Sequence, residues 1–341
     1  MSEISDRKKD HIQFTIDEGT QYKQRSGFEN YTFIHNALPE VNIAEVSTEA
    51  VLLGKRFSFP LFISSMTGGY SEAGQVNAII AEFCEHKNLP FGVGSQRAML
   101  EDEMLTDTFS IVRKKAPSAF ICSNIGGAQL IGNLMEDKIK RLIDSIEANA
   151  VIVHLNPLQE LMQPEGDRNF KGILSGIENL ANSVSIPIIA KETGAGISKH
   201  VAKKLLNAGV SVIDVAGAGG TSWAKVENQR DSNLDPHFDF DEWGNSTTDC
   251  LIDLTNLQWE RKFEVISSGG IRSAFDIAKS FCLGADFAAC AQPIIKAISI
   301  NGLDGIDELV SKWEHDLKMI LTLLGCTTLK ELNSSHIKLN S

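Results

Sequence analysis

The chain has 341 residues, 43% of them hydrophobic and 22% charged, which is the composition of an ordinary globular protein with room for a large core. A formal net charge of −12 argues against a general binder of nucleic acid or of anionic membranes, since both need a positive face; a local Arg and Lys cluster can still hold a small anionic substrate. No apolar run approaches the roughly 20 residues that span a bilayer, the opening MSEISDRKKDH has no signal-like apolar stretch, and the six cysteines form no CxxC pair, which together predict a cytoplasmic protein with reduced core thiols.

Residues 1–59 precede the regular pattern and read as an N-terminal extension. Short apolar runs then alternate with longer helical ones. Strands are predicted at 60–66, 90–95, 119–124, 150–156, 187–192, 210–217, 263–270 and 285–291. Helical patterns fall between them, at 74–87, 101–115, 136–148, 172–184, 198–208, 247–260, 273–283 and 305–325. In the first, Val76, Ile79, Ile80 and Phe83 share one face; in the third, Ile139, Leu142, Ile143 and Ile146 do. The strands are nearly continuous apolar runs, as a parallel sheet covered on both faces requires. Eight strands in strict βα order predict a closed (β/α)8 barrel, the TIM barrel, over 60–330. A doubly wound open sheet is the competing architecture, but it is expected to carry GxGxxG after its first strand, where this chain has MTGGY. A polar stretch at 222–249 is too long for a routine connection and reads as a lid or an irregular loop, and 331–341 reads as a C-terminal tail.

In such a barrel the site is built just past the strand ends. There the chain has Met66, Thr67 and Gly68; Ser95 and Arg97; Asn124; His154 and Asn156; Lys191; Gly217 to Thr221; Gly269 to Arg272; and Ala291 with Gln292. Two glycine-rich stretches, AGAGGT (216–221) and SSGGIR (267–272), follow strands six and seven. Glycine lets a backbone approach an anion closely, and the N–H groups there favour negative charge. The site suits one phosphate, which favours FMN over a dinucleotide; tight turns alone would also explain the glycines. Lys191 at the mouth can stand beside the flavin N1 and C2 carbonyl, where reduced flavin is negative, or can simply reach solvent.

After strand four, Asn156 and Glu160 offer oxygen ligands suited to Mg2+, and Gln159, which is neutral, can position or relay a proton but cannot be a strong base. His154 shares a strand face with Asn156; a lone histidine there is ordinarily a satisfied core residue, and the polar run that follows favours a site. Arg7, Lys8 and His11 lie in a charge run that ordinarily faces solvent; the sharper expectation is an arm that reaches a diphosphate, with Arg97 as a second clamp.

The pieces RKKDHI, SSMTGG, GVGSQRAMLED, HLNPLQELMQPEGDRNF, KETGAG, AGAGGTSWA and SSGGIR, in this order across residues 7 to 330, resemble the type 2 isopentenyl-diphosphate isomerases. HLNPLQE followed by QPEGDR is the most specific piece; SGGIR is shared with other FMN barrels. The resemblance implies interconversion of isopentenyl and dimethylallyl diphosphate with FMN and Mg2+, no net redox change, and NADPH as the usual reductant of the flavin. It implies Gln159, with His154, as catalytic residues, and Arg7, Lys8, His11, Arg97 and Gln159 as substrate contacts. It implies Asn156 and Glu160 as metal ligands. Flavin contacts are implied at Met66, Thr67, Gly68, Ser95, Asn124, Lys191, Thr221, Gly269, Gly270, Arg272, Ala291 and Gln292. A homo-oligomer is expected. One departure, WGNSTTD at 243–249 in place of the more usual WGIPT, bears on the loop after strand six. Two other readings compete: an FMN-dependent 2-hydroxy-acid oxidase, which needs a histidine base after a late strand where this chain has none, and a flavoprotein that only stores FMN.

Overall fold

The computed structural model describes residues 14–15, 18–70, 72–132, 136–230, 238–258 and 262–340. Eight parallel strands close into a barrel. They are β1 (Leu61–Ile63), β2 (Phe91–Gly92), β3 (Ile121–Gly126), β4 (Ala150–Leu155), β5 (Ile188–Glu192), β6 (Val212–Asp214), β7 (Glu264–Ser267) and β8 (Phe287–Cys290). The ring closes where Ala288 to Cys290 of β8 pair with Leu61 to Ile63 of β1. Every residue of β1, β2, β3, β6 and β8 is buried, which is why the strands read as unbroken apolar runs. The open-sheet alternative is thereby excluded.

The outer helices are α1 (Ala73–Lys87), α2 (Arg97–Glu101), α3 (Asp107–Lys115), α4 (Glu136–Asp144), α5 (Pro157–Met162), α6 (Ile173–Ser183), α7 (Lys199–Asn207), α8 (Trp223–Arg230), α9 (Thr247–Gln258), α10 (Ala274–Cys282) and α11 (Gln292–Leu324). Three depart from expectation. The segment 101–115 is split, because the Asp102 side chain accepts from the Met104 N–H and starts a fresh turn between α2 and α3. Helix α11 begins directly after β8 and is kinked at Asn301 and Gly302, where Gly302 has φ +56°. Helix α8 lies inside the stretch read as a polar loop; its buried residues include Lys225 and Glu227, whose charges hid it from a hydrophobicity pattern.

Two segments far apart in the sequence are tied together in the fold. Tyr31–Phe33 pairs antiparallel with Ile337–Leu339, so residues 331–340 are held against the N-terminal extension. A hairpin, Ala50–Leu52 with Lys55–Phe57, turns through Leu53 and Gly54, both at positive φ. It plugs the lower end of the barrel. Phe57 packs edge-on against Phe120 (5.9 Å) and Phe287 (5.7 Å), and Glu264 accepts from the Leu53 N–H at 2.8 Å. The cavity described below lies at the other end, beyond the strand C-termini. Among the described residues, no helix is long and apolar enough to cross a membrane.

Candidate active site

A cavity of about 260 Å3 sits at the C-terminal mouth. One wall is made by the two glycine loops. Gly269 and Gly270 have φ of +99° and +81°, and a Cβ on Gly269 would lie 2.0 Å from the Gly217 carbonyl oxygen. A Cβ on Gly270 would lie 2.6 Å from the Gly219 carbonyl oxygen. The two loops therefore touch backbone to backbone, which only glycine permits. The WGNSTTD segment supports them: the Thr247 hydroxyl donates to the Gly269 carbonyl at 2.7 Å, and the Ala218 N–H donates to the Asn245 carbonyl at 2.8 Å. Helix α10 follows at once, its N-terminus capped by Ser273. A glycine cradle leading into a helix N-terminus is an anion site.

The N-terminal extension closes over this wall. Gln21 pairs with Thr221 as an antiparallel bridge, and its amide links the Thr221 hydroxyl (3.2 Å) to Arg272 Nη2 (2.7 Å). Lys225 of α8 donates to the Gln21 carbonyl at 2.7 Å.

On the floor, Lys191 of β5 pairs with Asp214 of β6 at 3.2 Å, and Ser268 donates to the other Asp214 oxygen. The next residue, Glu192, is wholly buried, and its Oε2 accepts from the N–H groups of Thr193, Gly194, Ala195 and Gly196. Burial pushes this carboxyl up, against the amides that hold its charge. It ties the KETGAG loop so that Thr193 and Gly194 face the cavity.

Met66, Ser95, Ala291 and Gln292 also line the cavity. Thr67, Gly68 and Asn124 are not among its lining residues and act from behind. The Thr67 hydroxyl bonds to Asn77, and its carbonyl accepts from the Gly94 N–H at 2.7 Å. Gly68 has φ +146°, and the Phe109 ring occupies the space of a side chain there. Asn124 donates to the Val93 carbonyl at 3.0 Å and meets His154 Nδ1 at 2.8 Å.

The opposite wall is the segment after β4. Pro157 at the first position of α5 stops the strand and starts the helix, turning Gln159 and Glu160 back over the mouth. Asn156 Nδ2 donates to Gln159 Oε1 (3.2 Å) and to Glu160 Oε1 (3.1 Å). Glu160 Oε2 accepts from the Asp167 N–H at 2.7 Å. Gln159 Nε2 donates to Glu227 Oε1 at 3.1 Å, and Gln163 Nε2 donates to the same oxygen at 2.7 Å. Arg230 holds the other Glu227 oxygen at 2.6 Å. Arg97 reaches the cavity between Glu101 (2.8 Å) and Asp167 (3.8 Å). Burial works against its charge, and those carboxylates outweigh it, holding the guanidinium above its ordinary range.

The structure thus brings Arg97, His154, Asn156, Gln159, Glu160, Lys191, Thr221 and Arg272 around one space. Arg7, Lys8 and His11 lie outside the described residues. Sequence reading missed Glu227, Gln163, Asp214 and Gln21. Only Gln163 had a signal, its place at the start of the QPEGDR run; the other three meet partners from distant segments. Among the described residues, no group of three or more His, Cys, Asp or Glu side chains forms a ready metal cage. Glu160 and Asn156 make a sparse oxygen set of one carboxylate and one amide. That set fits a hard cation completed by water and substrate phosphate.

A family model described as FMN-dependent dehydrogenase matches residues 10–120 and 154–339. The chain is 42% identical to an isopentenyl-diphosphate delta-isomerase of Chlorobium luteolum, over 97% of this chain and 95% of that protein. It is also 42% identical to one of Archaeoglobus fulgidus, over 98% and 95%. Among solved structures, a flavocytochrome b2 variant with sulfite bound superposes with a TM-score of 0.71 at 18% identity, covering 98% of this chain and 83% of that one. An active mutant of (S)-mandelate dehydrogenase does so with 0.68 at 14% identity, covering 99% of each. These two show the barrel fold alone. With near-complete coverage at about 40% identity and a family match over most of its length, the chain belongs to the isopentenyl-diphosphate delta-isomerases of the FMN-dependent dehydrogenase family.

Proposed function

We propose that the chain interconverts isopentenyl diphosphate and dimethylallyl diphosphate, using FMN kept reduced by NADPH and Mg2+ on the diphosphate. The observation that carries this reading is the meeting, in one cavity, of a single-phosphate cradle with the Asn156, Gln159 and Glu160 wall, in a chain about 40% identical to such isomerases end to end.

The residues fit the cofactor. The loops at 217–221 and 269–272, with Ala291 and Gln292 at the start of α11, would hold the FMN phosphate; Lys191 would offset negative charge on the reduced ring. Bound and reduced, the flavin supplies proton-exchanging chemistry that few side chains at this mouth can offer. Glu160 and Asn156 would hold Mg2+. Arg97, with Arg7, Lys8 and His11, would hold the diphosphate and supply positioning energy away from the reacting carbons. Gln159 is fixed by its neighbours: Glu227 can only accept, so the amide NH2 faces it, and the carbonyl faces Asn156. An amide locked this way orients the hydrocarbon or one proton without titrating.

A 2-hydroxy-acid oxidase is disfavoured, because the one histidine among the described residues lining the cavity, His154, stands on β4 and not after a late strand. The test is anaerobic incubation with isopentenyl diphosphate, FMN, NADPH and Mg2+, followed by product analysis. Dimethylallyl diphosphate supports the reading; its absence from a flavin-loaded, reduced sample refutes it.

A further inference from the structure

We infer that Asn124 is a positioning residue that fixes the His154 ring, placing a proton on Nδ1 and turning Nε2 toward the cavity side of the ring. The Val93 carbonyl can only accept, and it lies 3.0 Å from Asn124 Nδ2, so the amide NH2 of Asn124 must face it. The Asn124 oxygen is then turned to His154 Nδ1, 2.8 Å away. An oxygen with no hydrogen cannot donate, so Nδ1 must carry the proton. Exchanging the Asn124 amide atoms would set oxygen against oxygen at Val93.

Gln96 keeps this residue from rotating away. It is fully buried, its Oε1 accepts from the Asn124 N–H at 3.0 Å, and its own N–H donates to the Asn124 carbonyl at 2.9 Å. Its Nε2 is anchored on the Leu142 carbonyl at 3.1 Å and on Ser145 Oγ at 3.2 Å. Gly126 lies beside the imidazole, where a Cβ would collide first with Gln129 Oε1 and would lie 3.0 Å from His154 Nε2. A ring held through Nδ1 by a neutral partner is set in orientation without gaining a charge.

The test is 15N NMR of the full-length flavin-bound protein labelled at histidine, at a pH where imidazoles are neutral. The His154 signals are identified by their loss in His154→Gln. The expected pattern is a protonated Nδ1. Asn124→Leu should lose that preference and lower kcat, with flavin content measured alongside. Asn124→Asp should keep Nδ1 protonated, since the oxygen facing Nδ1 still only accepts, whether or not the oxygen facing Val93 carries a proton. A wild-type His154 without a proton on Nδ1 overturns the inference, as does an unchanged Nδ1 signal in Asn124→Leu. The NMR result does not depend on which reaction is catalysed. The expected tautomer in a protein that fails to isomerise would refute the proposed function and leave this inference standing.

Discussion

Glu227 accepts from Gln159 at 3.1 Å while itself buried, so a carboxylate from α8 fixes the amide that faces the cavity from α5. Replacing it with alanine leaves the NH2 groups of Gln159 and Gln163, and the Arg230 guanidinium, without that partner. Each such loss costs about 1–3 kcal/mol. Where the cost falls on the orientation of Gln159, kcat drops on the order of tenfold to a hundredfold. Steady-state curves for Glu227→Ala decide: a lower kcat with little change in KM is expected, and a pure KM effect contradicts the assignment.

Gly269→Ala should empty the flavin site. The added Cβ falls 2.0 Å from the Gly217 carbonyl oxygen, in a backbone at φ +99°. The two loops must separate, and the amides that face the phosphate move with them. The ratio of flavin to protein absorbance after purification is the readout. Wild-type flavin content in this variant would show that these loops do not hold the phosphate.

The barrel was legible because its physics is local. Each of β1 to β8 is a short buried run, and each strand end carries a polar residue or glycine that no buried sheet would keep. The glycine loops and the residues after β4 were legible for the same reason. Glu227 and Asp214 were not. Both are buried charges whose partners, Gln159 and Lys191, lie 68 and 23 positions earlier in the sequence, a separation at which spacing carries no signal. Helix α8 was hidden by its own charges, since Lys225 and Glu227 are buried through ion pairs and hydrogen bonds and not through apolar faces. The closure of Gln21 over Thr221 is likewise a contact between distant segments.

Arg97→Ala should raise KM for the diphosphate and leave the flavin bound. A charge-assisted contact is worth about 1.5–3 kcal/mol. Glu101 and Asp167 already share this guanidinium, so the lower half of that range is expected, near tenfold in KM. An unchanged KM would remove Arg97 from the substrate site.

Glu160→Gln should weaken the Mg2+ dependence, and Gln159→Ala should lower kcat at saturating metal. The first substitution keeps the shape and removes the charge a hard cation prefers; its NH2 can no longer accept from one of the two donors, Asn156 Nδ2 or the Asp167 N–H. The second removes a neutral group, so its loss should fall equally on kcat and kcat/KM. Magnesium titrations of both variants separate the two; identical defects would mean that these neighbours share one role.

The central claim is that the reaction shifts a double bond without net oxidation. The direct measurement is dimethylallyl diphosphate formed against NADPH consumed, in sealed anaerobic samples of the wild-type protein. Many product molecules should appear for each NADPH, with reductant spent only in reducing the flavin at the outset. One NADPH oxidised per substrate consumed, or no dimethylallyl diphosphate at all, would contradict the account.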